Sequence, residues 1–247
     1  MIFYFTGTGN SLYAARTLAL EGERLIDMAK ARNSGEFHYA REKRERVGFV
    51  FPEYFSAVPE LVQEFISGLD LAGRGYTFAV ITCGGASSFC AGMLRHLLAE
   101  RGIPLYYVTH IRMPDNAILF WNTPSAEKKE RLLRQAEEKL TLTRKLLLAQ
   151  AVRKVKGGLV PEVMMPLYRL MQTTKPFAVS ENCTGCGKCA RNCPDRAIEM
   201  QNGRPVWVKG HCTLCTACIN RCPAGALQFG KNTEKRRRYV NPKLSQF

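Results

Sequence analysis

The chain has 247 residues, ten cysteines and a formal charge of +15, from 36 lysines and arginines against 21 acidic residues. That length allows one or two domains, with room for a first region that buries its own core. No run reaches the ~18 apolar residues of a membrane span, and Met1-Ile2-Phe3-Tyr4-Phe5 does not read as a secretory signal, so a cytoplasmic protein is expected.

In chain order, Ile2–Phe5 is a short apolar strand-like run, followed at once by Thr6-Gly7-Thr8-Gly9-Asn10-Ser11 and a helical pattern over Leu12–Leu20. Leu25–Met28 is a weak second strand. Val47–Phe51, Tyr76–Thr82 and Leu105–Thr109 are buried-type runs bounded by turn residues, and Val58–Leu69 and Phe89–Arg101 read as helices between them. Strands alternating with helices predict an α/β fold, a five-stranded parallel sheet covered on both faces. His110-Ile111-Arg112-Met113-Pro114-Asp115-Asn116 reads as a loop after the fifth strand, placed to cover a ligand, touch a second module or simply follow the surface. A long amphipathic helix is expected from Ser125 toward Lys156, its apolar stripe carried by Leu132, Leu133, Ala136, Leu140 and Leu147 and its basic residues forming a solvated face. Residues 157–176, with prolines at 161, 166 and 176, read as a connection that packs along a domain surface.

In doubly wound sheets ligands bind beyond the carboxyl ends of the strands. That rule brings residues 6–11, 51–57 and 82–88 together. Thr6–Ser11 interleaves hydroxyls with glycines and ends at a helix N-terminus, where free amides favour a phosphate. It matches neither GxxxxGK[ST] nor GxGxxG. It resembles the [ST]-x-T-G-x-[ST] phosphate loop of the flavodoxin family, and the likeness extends over about residues 1–150. The resemblance implies a flavodoxin-like, doubly wound domain that binds FMN, with Thr6, Gly7, Thr8, Gly9, Asn10 and Ser11 around the 5′-phosphate. It also implies that Pro52, Tyr54, Phe55, Ser56 and Ala57, and Thr82, Cys83, Gly84, Gly85 and Ala86, flank the isoalloxazine, with Tyr54 or Phe55 as the stacking aromatic. Glu53 is the only carboxylate in these three loops. Cys83 and Cys90 read either as buried inert thiols or as redox-active neighbours of a flavin.

Eight of the ten cysteines form two runs of one spacing, Cys183-x2-Cys186-x2-Cys189-x3-Cys193-Pro194 and Cys212-x2-Cys215-x2-Cys218-x3-Cys222-Pro223. Three thiolates two residues apart can cap three irons of a cubane, while the fourth is carried away on the next turn. Zinc uses paired CxxC motifs and small secreted domains use disulfides. A third cysteine and a Cys-Pro in each run point away from both. Residues 177–230 resemble the bacterial dicluster ferredoxin domain. That resemblance implies one [4Fe–4S] cluster on Cys183, Cys186, Cys189 and Cys222, and a second on Cys212, Cys215, Cys218 and Cys193. The run Lys231–Arg238 reads as a frayed, solvated basic tail, with partner docking as the sharper option.

The whole chain is similar to the EFR1 family of flavodoxin–ferredoxin fusions. The expected layout is a flavodoxin-like domain at 1–156, a linker at 157–176, a ferredoxin domain at 177–230 and a basic tail at 231–247. The resemblance implies electron transfer between FMN and two [4Fe–4S] clusters and on to a redox partner protein. That partner is expected to be acidic, because roughly +9 remains after the charges of the clusters and flavin phosphate are counted. The alternative is an FMN-dependent reductase of a quinone, flavin or other small acceptor. Nucleic acid is not an expected partner, and nothing in the sequence specifies an oligomeric state.

Overall fold

The computed structural model describes residues 1–42, 45–85, 89–153 and 164–244. Ala86 and Ser87, and residues 154–163 of the expected helix end and linker, lie outside the described residues. β1 (Ile2–Tyr4) leads into α1 (Asn10–Leu18), and β2 (Leu25–Asp27) into α2 (Met28–Ser34) and β3 (His38–Ala40). β4 (Val47–Pro52) precedes α3 (Glu60–Gly68) and β5 (Asp70–Ala72); β6 (Thr77–Cys83), α4 (Phe89–Glu100), β7 (Tyr107–Arg112) and α5 (Ala126–Leu148) follow. Five of these strands form one parallel sheet in the order β2-β1-β4-β6-β7. Counted within the sheet the order is 2-1-3-4-5, one of the two common doubly wound arrangements.

The two-residue period of the strands sorts the core into layers. Phe3, Phe49, Phe51, Ala79 and Ile81 face Leu61, Val62 and Phe65 of α3 and Leu94 and Leu98 of α4. Their neighbours Ile2, Val50, Phe78 and Val80 face Ala14, Ala15 and Leu18 of α1 and Leu133, Ala136 and Leu140 of α5. All seven residues of β6 are buried, as a central parallel strand requires.

Two boundaries differ from the sequence reading. β7 runs on to Arg112, so His110, Ile111 and Arg112 are strand residues paired with Ile81, Thr82 and Cys83, not loop. α5 stops at Leu148 instead of continuing toward residue 156: Leu147 is the last stripe residue buried, Leu148 is exposed, and Gln150 turns to φ 48°.

The C-terminal region begins within the expected linker, where α6 (Met164–Met171) forms and buries Tyr168. It continues through β8 (Phe177–Val179), α7 (Lys188–Arg191), β9 (Ile198–Gln201), β10 (Arg204–Trp207), α8 (Ala217–Asn220) and β11 (Leu227–Phe229). β8 pairs antiparallel with β11 and β9 with β10. This module sits against the carboxyl edge of the parallel sheet. Arg32 and Asn33 of α2 donate to the Pro194 carbonyl at 2.9 Å each, and Glu60 of α3 accepts from Gln172 at 3.0 Å.

Residues 231–244 correct the expectation of a frayed tail. Arg236 donates to the Ile118 carbonyl at 2.7 Å, Arg237 to Thr123 at 2.8 Å, and Arg238 to the carbonyls of Ile219, Gly225 and Leu227 at 3.0–3.1 Å. Tyr239, Asn241 and Leu244 are buried. The segment is a strap running from the C-terminal module back onto the N-terminal sheet. A run of guanidinium groups meets backbone carbonyls of loops, a helix end and a strand, which supply the acceptors that its sequence neighbours lack.

Candidate functional site

The carboxyl ends of β1, β4 and β6 open into one cavity of about 260 Å³. Thr6, Gly7, Thr8, Asn10 and Ser11 form one wall, Pro52, Glu53, Tyr54 and Phe55 a second, and Thr82, Cys83, Gly84 and Gly85 a third. Gly9 stands behind the first wall as the N-cap of α1, at φ 98° and with no side-chain cap. The first-turn amides of this helix therefore face the cavity end without a side-chain acceptor. Ser56 and Ala57 do not line the cavity. They close a tight turn in which Tyr54 and Ala57 exchange backbone hydrogen bonds at 3.1 and 2.9 Å and both Phe55 and Ser56 have positive φ.

The side chains of the first loop are braced. Ser11 Oγ and Thr82 Oγ1 share a 2.7 Å hydrogen bond, tying the first and third walls together. Thr8 Oγ1 accepts from Asn116, and Thr6 Oγ1 from the Gly9 amide. Asn10 donates to the Pro114 carbonyl and accepts from the Tyr239 hydroxyl at 2.7 Å and from Asn241 at 3.0 Å. Asn10 is thus a strut between the sheet and the strap. The loop's hydroxyls and the Asn10 side chain are already engaged within the protein.

The aromatics are committed as well. Tyr54 lies edge-on to Phe5, and burial pushes its phenol well above the ordinary range. Phe55 packs on Tyr168 at 5.0 Å and edge-on to Phe120 at 5.5 Å, so it joins α6 to the cavity wall. Burial, with the nearby Glu53 carboxylate, pushes the Cys83 thiol up to about 12 and Cys90 well above its usual value. Both remain protonated thiols at neutral pH, which removes the nucleophilic form.

Sequence reasoning left residues 110–116 open between covering a ligand, touching a second module and following the surface, and passed over other parts of this site. Pro114, Asp115, Asn116, Ala117, Leu119, Phe120 and Trp121, just after β7, form a fourth wall. This stretch covers the cavity and also touches the second module: the Asn116 carbonyl accepts from Thr216 and Asn220 at 3.2 Å each. His110 lies 3.6 Å from the buried Glu53 carboxylate. Glu53 Oε2 and His110 Nε2 are both buried without a hydrogen-bond partner among the described residues. Leu214 and Thr216, from the second cysteine run, complete the lining.

The two cysteine runs are folded alike but placed differently. Cys183, Cys186, Cys189 and Cys222 line one small cavity, and Cys193, Cys212, Cys215 and Cys218 line another. In each half an amide four residues on donates to the last sulfur at 3.3 Å, Ala197 to Cys193 and Ala226 to Cys222. Gly185 and Gly187 have φ near +70°, and Leu214 and Thr216 hold the equivalent positions at 56° and 58°. Left-handed backbone at non-glycine residues costs roughly 1–2 kcal/mol each. Here those side chains reach the other region, Leu214 and Thr216 lining its cavity.

A Cβ on Gly7 would collide with the Cys215 carbonyl, so the first loop and the second cysteine run approach backbone to backbone. Residues 212–217 are all buried, whereas Cys186 is exposed. The Lys188 amide holds Cys186 below the usual thiol range, while burial pushes Cys212 up to about 12 and Cys215 well above its ordinary value. Buried thiols of this kind ionise when a metal cation replaces the proton.

A family model described as the 4Fe-4S dicluster domain matches residues 170–237. The C-terminal region is therefore a dicluster ferredoxin domain, a class whose chemistry is one-electron transfer through iron–sulfur clusters. Among the curated proteins, none matches the chain. No helix among the described residues is long and apolar enough to cross a membrane.

Proposed function

We propose that the chain is an electron-transfer flavoprotein of the EFR1 type, a flavodoxin-like FMN domain at residues 1–156 fused to the ferredoxin domain. The observation that carries this reading is the shared wall: one cavity is lined both by the carboxyl-end loops of a 2-1-3-4-5 sheet and by Leu214 and Thr216 of a cluster-binding run. A flavin there would connect two-electron chemistry to one-electron carriers.

The residues present suit that group. The uncapped start of α1 offers amides to a phosphate. Glu53 Oε2 makes no hydrogen bond among the described residues and faces only His110 Nε2 at 3.6 Å, so the wall keeps an acceptor that a ligand donor could use. Thr6–Ser11 would hold the phosphate, largely through backbone, and the walls at 52–55, 82–85 and 114–121 would exclude water from the ring. Cys183, Cys186, Cys189 and Cys222 would ligate one cluster, and Cys193, Cys212, Cys215 and Cys218 the other. The interleaved sets match the cavities that these sulfurs surround.

A reductase acting on a small acceptor is the second reading. The Glu53–His110 pair favours it, because a buried carboxylate 3.6 Å from an imidazole is a proton-handling arrangement. Steady-state turnover of a quinone without any partner protein distinguishes it from pure carriage. The primary test is anaerobic reconstitution with iron, sulfide and FMN measured on one sample. About eight irons and one FMN per chain are expected; protein that takes up iron but no flavin would rule out the fusion reading.

A further inference from the structure

The two cluster-binding runs differ in what surrounds them. The run at 212–217 is buried under Gly7, Asn116 and the cavity wall. The run at 183–189 faces outward, with Thr184, Gly185, Cys186 and Lys188 all exposed. A redox group held by the first run exchanges with the interior. One held by the second has solvent beside its ligands and can be approached by another protein.

The rim of the outward run is charged. Lys188 and Arg191 are exposed, and Arg191 donates to the Cys186 carbonyl at 2.9 Å, which holds its guanidinium beside the cysteine loop. Arg204 adds a third cation and meets Glu181 at 3.5 Å, a carboxylate whose side chain is 95% exposed. Such a rim attracts an acidic surface, and the excess of base over the whole chain reinforces the field.

We propose that the Cys183–Cys189 face is the docking surface for an acidic one-electron carrier protein, with the flavin-side run as the internal station. The proposal rests on the two-cluster reading above and names its partner side. It also relocates the docking expected at the basic tail, because Arg236, Arg237 and Arg238 are committed to carbonyls of this chain. Each encounter moves one electron and no atom, so carrier and chain change oxidation state by one in opposite senses.

The test uses anaerobically reconstituted holoprotein and an acidic [2Fe–2S] ferredoxin as probe, with affinity read by calorimetry at low and high salt. The double reversal Lys188→Glu/Arg191→Glu should weaken binding about tenfold at low salt and flatten the salt dependence. Glu181→Lys should tighten binding about threefold, a gain that misfolding cannot produce. Equal affinity across the three proteins, each with full iron, overturns the proposal. So does equally tight, reversal-sensitive binding of a random DNA duplex. If reconstitution gives iron without FMN, the flavin reading fails, and binding of the probe still decides the docking face.

Discussion

Arg46 shows how a single buried charge is made tolerable. Its guanidinium donates to Glu23 at 2.6 and 3.0 Å and to the Leu18 carbonyl at 2.7 Å. Burial alone would raise the Glu23 carboxyl, but hydrogen bonds from Arg46 and the Leu20 amide, with the Arg46 charge, bring it below 4.5. A carboxyl depressed on folding stabilises the fold above its unfolded pKa, and that contribution is lost as pH falls through the lower folded value. Arg46→Met should therefore destabilise the protein by about 3 kcal/mol at neutral pH, since it takes the closest cation from a buried carboxylate left with only the Leu20 amide and the Met1 ammonium at 3.5 Å. The gap between variant and parent should shrink as pH falls through the lowered folded value, where Glu23 takes up a proton in both. Denaturant unfolding at several pH values measures this. A gap that grows on acidification would contradict the assignment.

At the scale of elements, the strap makes the sharpest prediction. Deleting residues 236–247 removes the Tyr239 and Asn241 bonds to Asn10 and the Asn241 amide bond to the Thr8 carbonyl. On the proposed flavin reading, FMN affinity should fall at least about tenfold, with iron lost to a smaller extent; Tyr239→Phe alone should cost about 1 kcal/mol of that. Fluorescence titration of FMN with iron assay gives both numbers, and unchanged flavin binding would make the strap mere packing.

The strap was not legible in the sequence because its partners are backbone carbonyls. A carbonyl has no letter, so Arg236–Arg238 read as a solvated run. The sheet was legible, because Phe49, Val50 and Phe51 or Ala79, Val80 and Ile81 alternate between two helix layers with no polar interruption. The seven-residue α2 had its signals in plain view, Asp27 accepting from the Ala29 and Lys30 amides and Gly35 at φ 73°, but it is too short for periodicity to register. Of the cavity, the three loops after β1, β4 and β6 were readable from topology. The fourth wall was legible only in part: residues 110–116 were read as a loop with covering a ligand among its options, but β7 was read as ending at Thr109, which hid the reach of residues 117–121 and the meeting of His110 with Glu53. One cue did distinguish the cysteine runs. Where the exposed run has Gly185 and Gly187, the docked run has Leu214 and Thr216, side chains kept at a backbone cost.

For the whole molecule, unequal cover of the two cysteine sets predicts unequal lability. Treating holoprotein with ferricyanide and a chelator should release iron in two phases of about equal size, the fast one from the Cys186 side. Cys186→Ser should abolish the fast phase and leave the slow one unchanged. A single phase would show that the buried run is no better shielded than the exposed one.

Asn10 and Asn241 are hydrogen-bonded although 231 positions separate them along the chain. During synthesis the nascent sheet can assemble long before its first loop acquires that brace. Maturation is thereby ordered by the ribosome: the ferredoxin half must emerge and fold its last turn home before the neighbouring half is finished.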